Sequence, residues 1–264
     1  MALRPVIWLR NTLRHRLGSG LLGSVLRQAS GERTPVRVRV VSATRLDERE
    51  FWKSSALGQS LKIWRQDARV VIDVAYANTE GLPRIYNAAF ARAGADEAVL
   101  FVHDDVWLED PQWIEKLFAA LRRYDVVGIA GNTRRIKGQR AWLYTKWQGE
   151  GETFWLDFPH LSGAVGHGQR PGGEQSVFGP APLACELLDG VFLAVRTDVA
   201  GRSGVAFDPR FDFHFYDMDY CRTARARGLA LGTWPVAITH QSTGAFNSAG
   251  WKDGLQRYLG KWRH

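Results

Sequence analysis

Residues 98–106 read Ala98-Val99-Leu100-Phe101-Val102-His103-Asp104-Asp105-Val106. An unbroken apolar run of this length, closed by a polar turn, reads as a strand buried on both faces of a parallel sheet. Upstream, Val36 to Val41 alternates apolar residues with arginine and reads as a first strand, and Val70 to Tyr76 as a second. Downstream, Val126 to Ala130 reads as a fourth. Helical spacing fills the gaps. Glu48 to Trp64 places Leu57, Leu61 and Trp64 on one face, and Pro83 suits the first turn of a helix running to Ala93. Asp110-Pro111 is predicted to cap and open a helix whose Ile114, Leu117, Phe118 and Leu121 fall at i, i+3, i+4 and i+7. This alternation predicts an α/β fold with a Rossmann-like, doubly wound, mostly parallel central sheet.

The regularity breaks between Gly131 and Cys185, which is glycine-rich and carries Trp142, Trp147, Trp155, His160 and His167. It is predicted to be a long irregular insertion, and a loop of that length in a compact domain is usually functional or flexible. Regular structure is predicted again at Leu187 to Val195, then as a helix from Tyr216 to Arg227 closed by Gly228, then as a strand around Leu229 to Ile238.

The two ends are basic and amphipathic. Residues 1–34 set Leu13, Leu17 and Leu21 at helical spacing among Arg4, Arg10, Arg14, Arg16 and Arg27. Such a helix either lies on an anionic membrane surface or packs on the main domain with its arginines in water. Residues 249–264 repeat the theme with Trp251, Leu255, Tyr258, Leu259 and Trp262, for which core packing is the favoured reading. Residues 35–248 between them form the expected catalytic domain.

Composition narrows the class. With 45% hydrophobic and 23% charged residues, the 264-residue chain has the makeup of a folded globular protein, which excludes disorder as its main state. No apolar run approaches the roughly 18 residues of a membrane span. Arg10, Arg14 and Arg16 interrupt any signal-peptide core, and Cys185 and Cys221 supply neither a disulfide framework nor metal-site spacing. A cytoplasmic setting is therefore expected, with peripheral attachment at the inner membrane face if the N-terminal helix binds lipid. The net charge of +8 suits nucleic acid, anionic lipid or a phosphorylated ligand and does not choose among them.

Three elements carry chemistry. His103-Asp104-Asp105 follows the third strand directly, and ligands of open parallel sheets bind beyond the carboxyl ends of strands. Paired carboxylates there suit Mg²⁺ or Mn²⁺, although a polar turn capping local amides reads the same way. Phe211-Asp212-Phe213-His214-Phe215-Tyr216-Asp217-Met218-Asp219 then sets carboxylates among aromatics at a helix start. Asp217 and Asp219, two apart, point in different directions. One is a candidate general base with a pKa raised by desolvation, the other a helix cap or a partner for Arg222. Both could instead simply stabilise the first turn against the helix dipole. His240 ends the last predicted strand and competes for a metal-ligand role only because of the acidic clusters beside it.

In this order the elements resemble the glycosyltransferase A fold, specifically the family 2-like nucleotide-sugar glycosyltransferases. His103-Asp104-Asp105 stands for the family's Asp-X-Asp metal motif. Tyr216-Asp217-Met218-Asp219-Tyr220-Cys221 is similar to its Glu-Asp-X-Asp-Leu-Cys segment. Gly81-Leu82-Pro83-Arg84-Ile85-Tyr86-Asn87 resembles the helix start that contacts the donor diphosphate, and Leu188-Asp189-Gly190-Val191 the acceptor-side strand. The resemblance implies Asp217 as catalytic base and, since His103 replaces the first acid, Asp105 and His240 as metal ligands for Mg²⁺ or Mn²⁺. It places donor contacts at Ser42, Asn78, Arg84, Asn87 and Asp104, and acceptor contacts at Trp142, Trp155, Asp189 and Gly190. The implied partners are a nucleoside-diphosphate sugar and a glycan or lipid-linked glycan acceptor, as in bacterial surface glycan assembly.

Rival classes fit less of the chain. A nucleotidyltransferase usually carries a glycine-rich basic loop near its first strand, whereas Val41-Ser42-Ala43-Thr44-Arg45 has no glycine. A nucleic-acid binder would use the tryptophans and the charge but needs no pair of acidic clusters at one sheet edge, so no nucleic-acid partner is expected. A nucleotide- or sugar-binding scaffold without turnover shares every one of these motifs.

Overall fold

A computed structural model of the protein describes residues 35–148, 153–242 and 246–263. The basic segment 1–34, with its membrane and packing readings, lies outside the described residues. Two sheets share the core. Strands β1 (Arg37–Ala43), β2 (Val70–Ala75) and β3 (Glu97–Val102) alternate with helices α1 (Glu48–Ser54), α2 (Ala56–Leu61) and α3 (Leu82–Arg92). After β4 (Val106–Leu108) and α4 (Trp113–Leu121) come β5 (Val126–Gly128), β6 (Ala130–Asn132), β7 (Tyr144–Gln148), β8 (Thr153–Leu156), β9 (Leu161–His167), β10 (Glu174–Gly179), β11 (Ala184–Cys185) and β12 (Leu187–Leu188). The chain closes with β13 (Phe192–Arg196), α5 (Thr197–Ser203), α6 (Tyr216–Ala226), β14 (Leu231–Thr233), β15 (Ile238–His240) and α7 (Ala249–Lys261).

The main sheet has the order β11-β14-β5-β13-β3-β1-β2. Strands β1, β2, β3, β5 and β14 run one way and β13 and β11 the other, so the sheet is mostly parallel, as predicted. Every residue of β3 is buried, which is why its apolar run is continuous rather than alternating. The smaller sheet, β12-β6-β9-β15-β4 with β10 beside β9, covers the carboxyl edge of the first, and β7 and β8 form a separate hairpin.

Several predicted elements divide. The single helix from Glu48 to Trp64 is two helices and a 3₁₀ turn, because Ser55 is extended at φ −71° and ψ 147°. Its hydroxyl accepts the Gly58 N–H at 2.9 Å while its own N–H closes α1 on Phe51. The strand at 126–130 splits at Ile129, with β5 in the main sheet and β6 in the smaller one, and the strand at 229–238 splits across Trp234–Ala237 in the same way. Helix α4 starts at Trp113, two residues later than predicted. Asp110 accepts the Gln112 N–H at 3.0 Å and pairs with Lys116, so it closes the turn before the helix.

The stretch from Gly131 to Cys185, predicted irregular, builds most of the smaller sheet. Its glycines are sites of close backbone crossing. A Cβ on Gly163, at φ 96°, would strike the Ile129 carbonyl, and one on Gly173 would strike that of His167. The strands are therefore specified by what is missing from the side chains, which hides their alternation.

Helix α7 packs as the core reading expected, burying Trp251, Leu255 and Tyr258. Among the described residues no helix is long and apolar enough to cross a membrane.

Strand β14 passes so close to Tyr124 that a Cβ on Gly232 would lie 2.6 Å from the ring Cδ2. Gly232→Ala is expected to cost about 1–3 kcal/mol, the usual range for overpacking. Urea unfolding checks this as a lower midpoint at unchanged slope.

Candidate active site

Four chain segments meet at the carboxyl edge of the main sheet. The turn after β3 supplies His103, Asp104 and Asp105, the turn before β13 supplies Asp189 and Gly190, the start of α6 supplies Tyr216 and Asp217, and the end of β15 supplies His240. Strand β15 pairs with β4, with His240 opposite Val106, and this register carries the imidazole to Asp105.

The donor atoms of His103, Asp105 and His240 lie within 4.8 Å of one another. Asp105 Oδ1 is 3.2 Å from His240 Nε2, yet it is buried without a well-formed hydrogen bond. Two donors on one cation at about 2.1 Å each sit roughly 3 Å apart when their bonds are at right angles. An orphaned carboxylate oxygen at that spacing from an imidazole nitrogen is what a divalent cation would satisfy, so the residues present fit a metal. Burial acts to raise the Asp105 carboxyl, but the contact with His240 and the charges of both histidines outweigh it and hold it below the usual range. His240 is raised in turn, because Asp105 outweighs its burial, whereas burial lowers His103. Asp104 is raised by burial, partly offset by the Thr44 hydroxyl, and is not one of the three clustered donors.

Asp217 stands on the other side of Tyr216. Its Oδ2 accepts the Gly190 N–H at 3.1 Å, and its pKa rises to about 7, first through burial and then through repulsion from Asp189. The backbone bonds from Met218 and Gly190 recover only part of that shift. Asp189 is held in its turn by the Val191 N–H at 3.0 Å. Position 190 must be glycine, because a Cβ there would strike the Tyr216 hydroxyl and lie 2.9 Å from Asp217 Cβ.

The Tyr216 hydroxyl ties these groups together. It donates to the Gly190 carbonyl at 2.9 Å and meets His103 Nε2 at 2.9 Å. Burial holds it well above the usual tyrosine pKa, so it keeps its proton. The preceding Phe215 adopts φ 65°, a left-handed conformation costly for an aromatic residue. Its ring packs on Trp251 and Tyr258 of α7 at centroid distances of 5.4 and 5.3 Å.

The other expected site residues divide by position. Ser42, at the end of β1, has a buried hydroxyl without a hydrogen-bond partner among the described residues, and Asn78 closes a turn on Glu80. Arg84 is exposed on the first turn of α3. Asn87, expected at the donor, turns its amide to the Phe207 backbone, accepting at 2.9 Å and donating at 2.8 Å, and so braces the chain that leads into α6. Trp142, expected at the acceptor, is 7% exposed and packs edge-on against Phe178. Trp155 is exposed on β8. Asp219 pairs with Lys261 and the Trp262 Nε1–H, both at 2.7 Å, rather than with Arg222, which stacks on Trp262 instead.

Three residues of the site were not singled out from sequence as ligand or contact residues. His103 joins the cation donors, Tyr216 bridges to it, and Phe213, half exposed, lies nearly parallel to the His103 ring at 5.9 Å. Only His103 left a signal, as the residue standing in the first place of an Asp-X-Asp-like triplet.

Solved structures align with this chain at low sequence identity. A structure of GalNAc-T7 with UDP, GalNAc and Mn²⁺ is 11% identical at TM-score 0.50, covering 86% of this chain and 48% of that one. The S. aureus protein TarS is 13% identical at TM-score 0.45, covering 78% and 37%. The mannosyltransferase PcManGT from Pyrobaculum calidifontis, in complex with GDP-Man and Mn²⁺, is 12% identical at TM-score 0.46, covering 98% and 76%. This chain thus spans less than half the length of GalNAc-T7 or TarS. Among curated proteins, none matches it. At sequence level, residues 45–243 match the glycosyltransferase-like family, and over that span, which includes the whole edge from Asp104 to His240, the chain belongs to it.

Proposed function

We propose that the protein transfers a sugar from a nucleoside diphosphate to an acceptor hydroxyl with inversion at the anomeric carbon. The observation that carries this reading is the pairing, across Tyr216, of a carboxylate with a pKa of about 7 and a three-residue cation site. In this reading His103, Asp105 and His240 hold Mg²⁺ or Mn²⁺, which when bound neutralises charge on the diphosphate leaving group. Asp217 accepts the proton of the attacking hydroxyl. As that oxygen bonds to the anomeric carbon, the bond from carbon to phosphate oxygen breaks on the opposite face, and the diphosphate departs with its electron pair. Gly190 fixes the Asp217 carboxylate in orientation, and burial, with repulsion from Asp189 added to it, keeps its basicity high enough to accept a proton near neutral pH. Ser42, Asn78, Arg84 and Asp104 are proposed on the donor side, and Asp189, Gly190 and Trp155 on the acceptor side. A glycan or lipid-linked glycan is the proposed acceptor class, reached from the cytoplasmic face of a membrane.

Thermal shifts with UDP, GDP, dTDP and CMP, each with Mn²⁺ and with EDTA, test the donor site. A ligand at 100 times its dissociation constant stabilises by about 2.7 kcal/mol, which at roughly 2–4 °C per kcal/mol is a shift of several degrees. One nucleotide is expected to shift the midpoint in Mn²⁺ and not in EDTA. No shift with any of them removes the donor site. Asp105→Ala is expected to abolish the Mn²⁺-dependent part of the shift.

Asp217→Asn is expected to lower turnover by about 10²–10⁴-fold, the span of a general base, with nucleotide binding retained. In the unaltered protein kcat/KM is expected to rise with pH and level off above about 7, as Asp217 loses its proton. A flat profile from pH 5 to 8 would remove Asp217 as the base.

The same carboxyl makes stability depend on pH. Between its ordinary value of 3.8 and about 7, the folded state holds a proton that the unfolded state has released. The Asp217 contribution therefore falls as pH rises through that window and is fully lost above it. Asp217→Asn is accordingly expected to melt higher than the unaltered protein at pH 8, with the difference shrinking towards pH 4. Calorimetry at the two pH values reads it.

A further inference from the structure

We infer that the β7–β8 hairpin and the turn that follows it are a docking surface for an anionic lipid bilayer. Bilayer binding is separate from the sugar transfer proposed above and does not rest on it.

The surface is apolar where water should dictate polarity. Strands β7 and β8 pair only with each other among the described residues, so neither face of the ribbon has a sheet to cover it. Trp155 and Leu156, successive on β8, point to opposite faces and are 55% and 38% exposed. Phe158, in the turn beyond, is 59% exposed. The residue between, Asp157, is turned inward and buried, where it accepts the Asn132 amide at 3.0 Å and pairs with Arg134 at 2.6 Å. Leu156 stands opposite Tyr144 of β7, which packs edge-on against the partly exposed Phe246. Aromatic and aliphatic groups thus continue across three segments of the chain.

Charge identifies the occupant. Between Asp125 and Glu150 the sequence holds Arg134, Arg135, Lys137, Arg140 and Lys146 and no acidic residue. The Arg134–Asp157 pair, and a bond of 2.8 Å from the Thr133 N–H to the His160 carbonyl, set this basic loop beside the apolar run. Arg135 and Lys137 are exposed. Tryptophan, phenylalanine and leucine beside arginine and lysine suit the headgroup layer of an anionic membrane. The apolar groups enter the acyl boundary, and each cation gains from the negative surface potential. The same charge disfavours two other covers. Residues 1–34 are themselves basic, with no acid before Glu32, and a second copy meeting this one patch to patch would set two basic loops against each other. The surface also reaches the candidate site, since Phe246 packs on Trp251 at 6.2 Å and Trp251 on Phe215 at 5.4 Å.

The test uses the full chain with vesicles of phosphatidylcholine, alone or mixed with phosphatidylglycerol, and neither nucleotide nor acceptor. Flotation is expected to show binding to the mixed vesicles only, weakening as salt is raised. Trp155→Ser with Phe158→Ser is expected to lower the bound fraction's partition coefficient at least about tenfold. Arg135→Gln with Lys137→Gln is expected to lower it by about fivefold per charge. All four side chains are exposed, so both double variants should keep the melting midpoint of the unaltered protein. Cys185 and Cys221 are buried, which lets a nitroxide be placed selectively on Phe158→Cys. On mixed vesicles that label is expected to become accessible to oxygen and shielded from a water-soluble nickel complex. A label on Ile63→Cys, just beyond α2 at the β4 edge of the smaller sheet, is expected to stay in water. Binding that both double variants leave unchanged, or a label at position 158 that stays in water, assigns the bilayer to another part of the chain and overturns the inference. So does equal binding to phosphatidylcholine alone, no vesicle binding, self-association that the double variants abolish, or RNA bound in preference to vesicles. Vesicle binding by a chain that shifts with no nucleotide would remove the donor site and leave this surface standing. A nucleotide shift without vesicle binding would do the opposite.

Discussion

One buried hydroxyl holds the edge of this molecule together. Tyr216 bonds at once to the turn after β3, through His103, and to the turn before β13, through the Gly190 carbonyl, and it stands on the first turn of α6. Segments more than a hundred residues apart in sequence thus share one oxygen atom. A buried carbonyl or imidazole nitrogen left without its partner costs about 1–3 kcal/mol, so displacing this oxygen would leave two such groups unpaired. The arrangement admits one geometry, with the closeness of Gly190 leaving no room for a side chain. Asp217 and the cluster of His103, Asp105 and His240 are held relative to each other by the same contact.

The two-sheet design explains why so many functional groups reach that edge. At Ile129 and again between Trp234 and Ala237 the chain leaves the main sheet and enters the smaller one without an intervening helix. The first crossing starts at the carboxyl end of β5 and the second at that of β14. The second crossing delivers His240 to Asp105 through pairing with β4. The opposite end of β3 is structural, where Glu97 is buried against Arg39 at 2.9 Å. Burial of β3 on both faces gives the platform its rigidity, and the chemistry sits just past its end.

Much of this was legible in the residues. The apolar run of β3, the proline of α3 and the glycine closing α6 each act through local physics, so the order of strands and helices and the sheet class followed. Asp217, Asp105 and His240 were legible as candidates because two acidic clusters and a histidine fall at strand and helix ends on one side of the predicted sheet. The smaller sheet was not legible, because its strands depend on glycines whose function is to let backbones touch, and a glycine leaves no periodic trace. An indole suits a sugar face and a core equally well, and Trp142 packs edge-on against Phe178. Tyr216 stands where the family segment has glutamate, directly before Asp217. Its function lies in which atoms its hydroxyl meets, and those belong to Gly190 and His103, residues far away in the chain.

The strain at Phe215 has a support outside the site. A bulky residue in the left-handed region costs of order 1–3 kcal/mol, and it persists only where packing outweighs that cost. Two aromatic contacts at about 0.5–1.5 kcal/mol each, from Trp251 and Tyr258 of α7, are of the right size to do so. Gly254 lets α7 approach that closely, since a Cβ there would lie 3.0 Å from the Phe215 ring. Lys261 and Trp262 then fasten the same helix end to Asp219, one turn into α6, and to Asp208 before it. The backbone turn that aims Tyr216 and Asp217 is therefore held from behind by the C-terminal helix. Loosening α7 would relax φ at Phe215 towards ordinary values and rotate the first turn of α6 away from Gly190. By this argument α7 is part of the architecture of the candidate site, though none of its residues is Asp217 or one of the clustered donors.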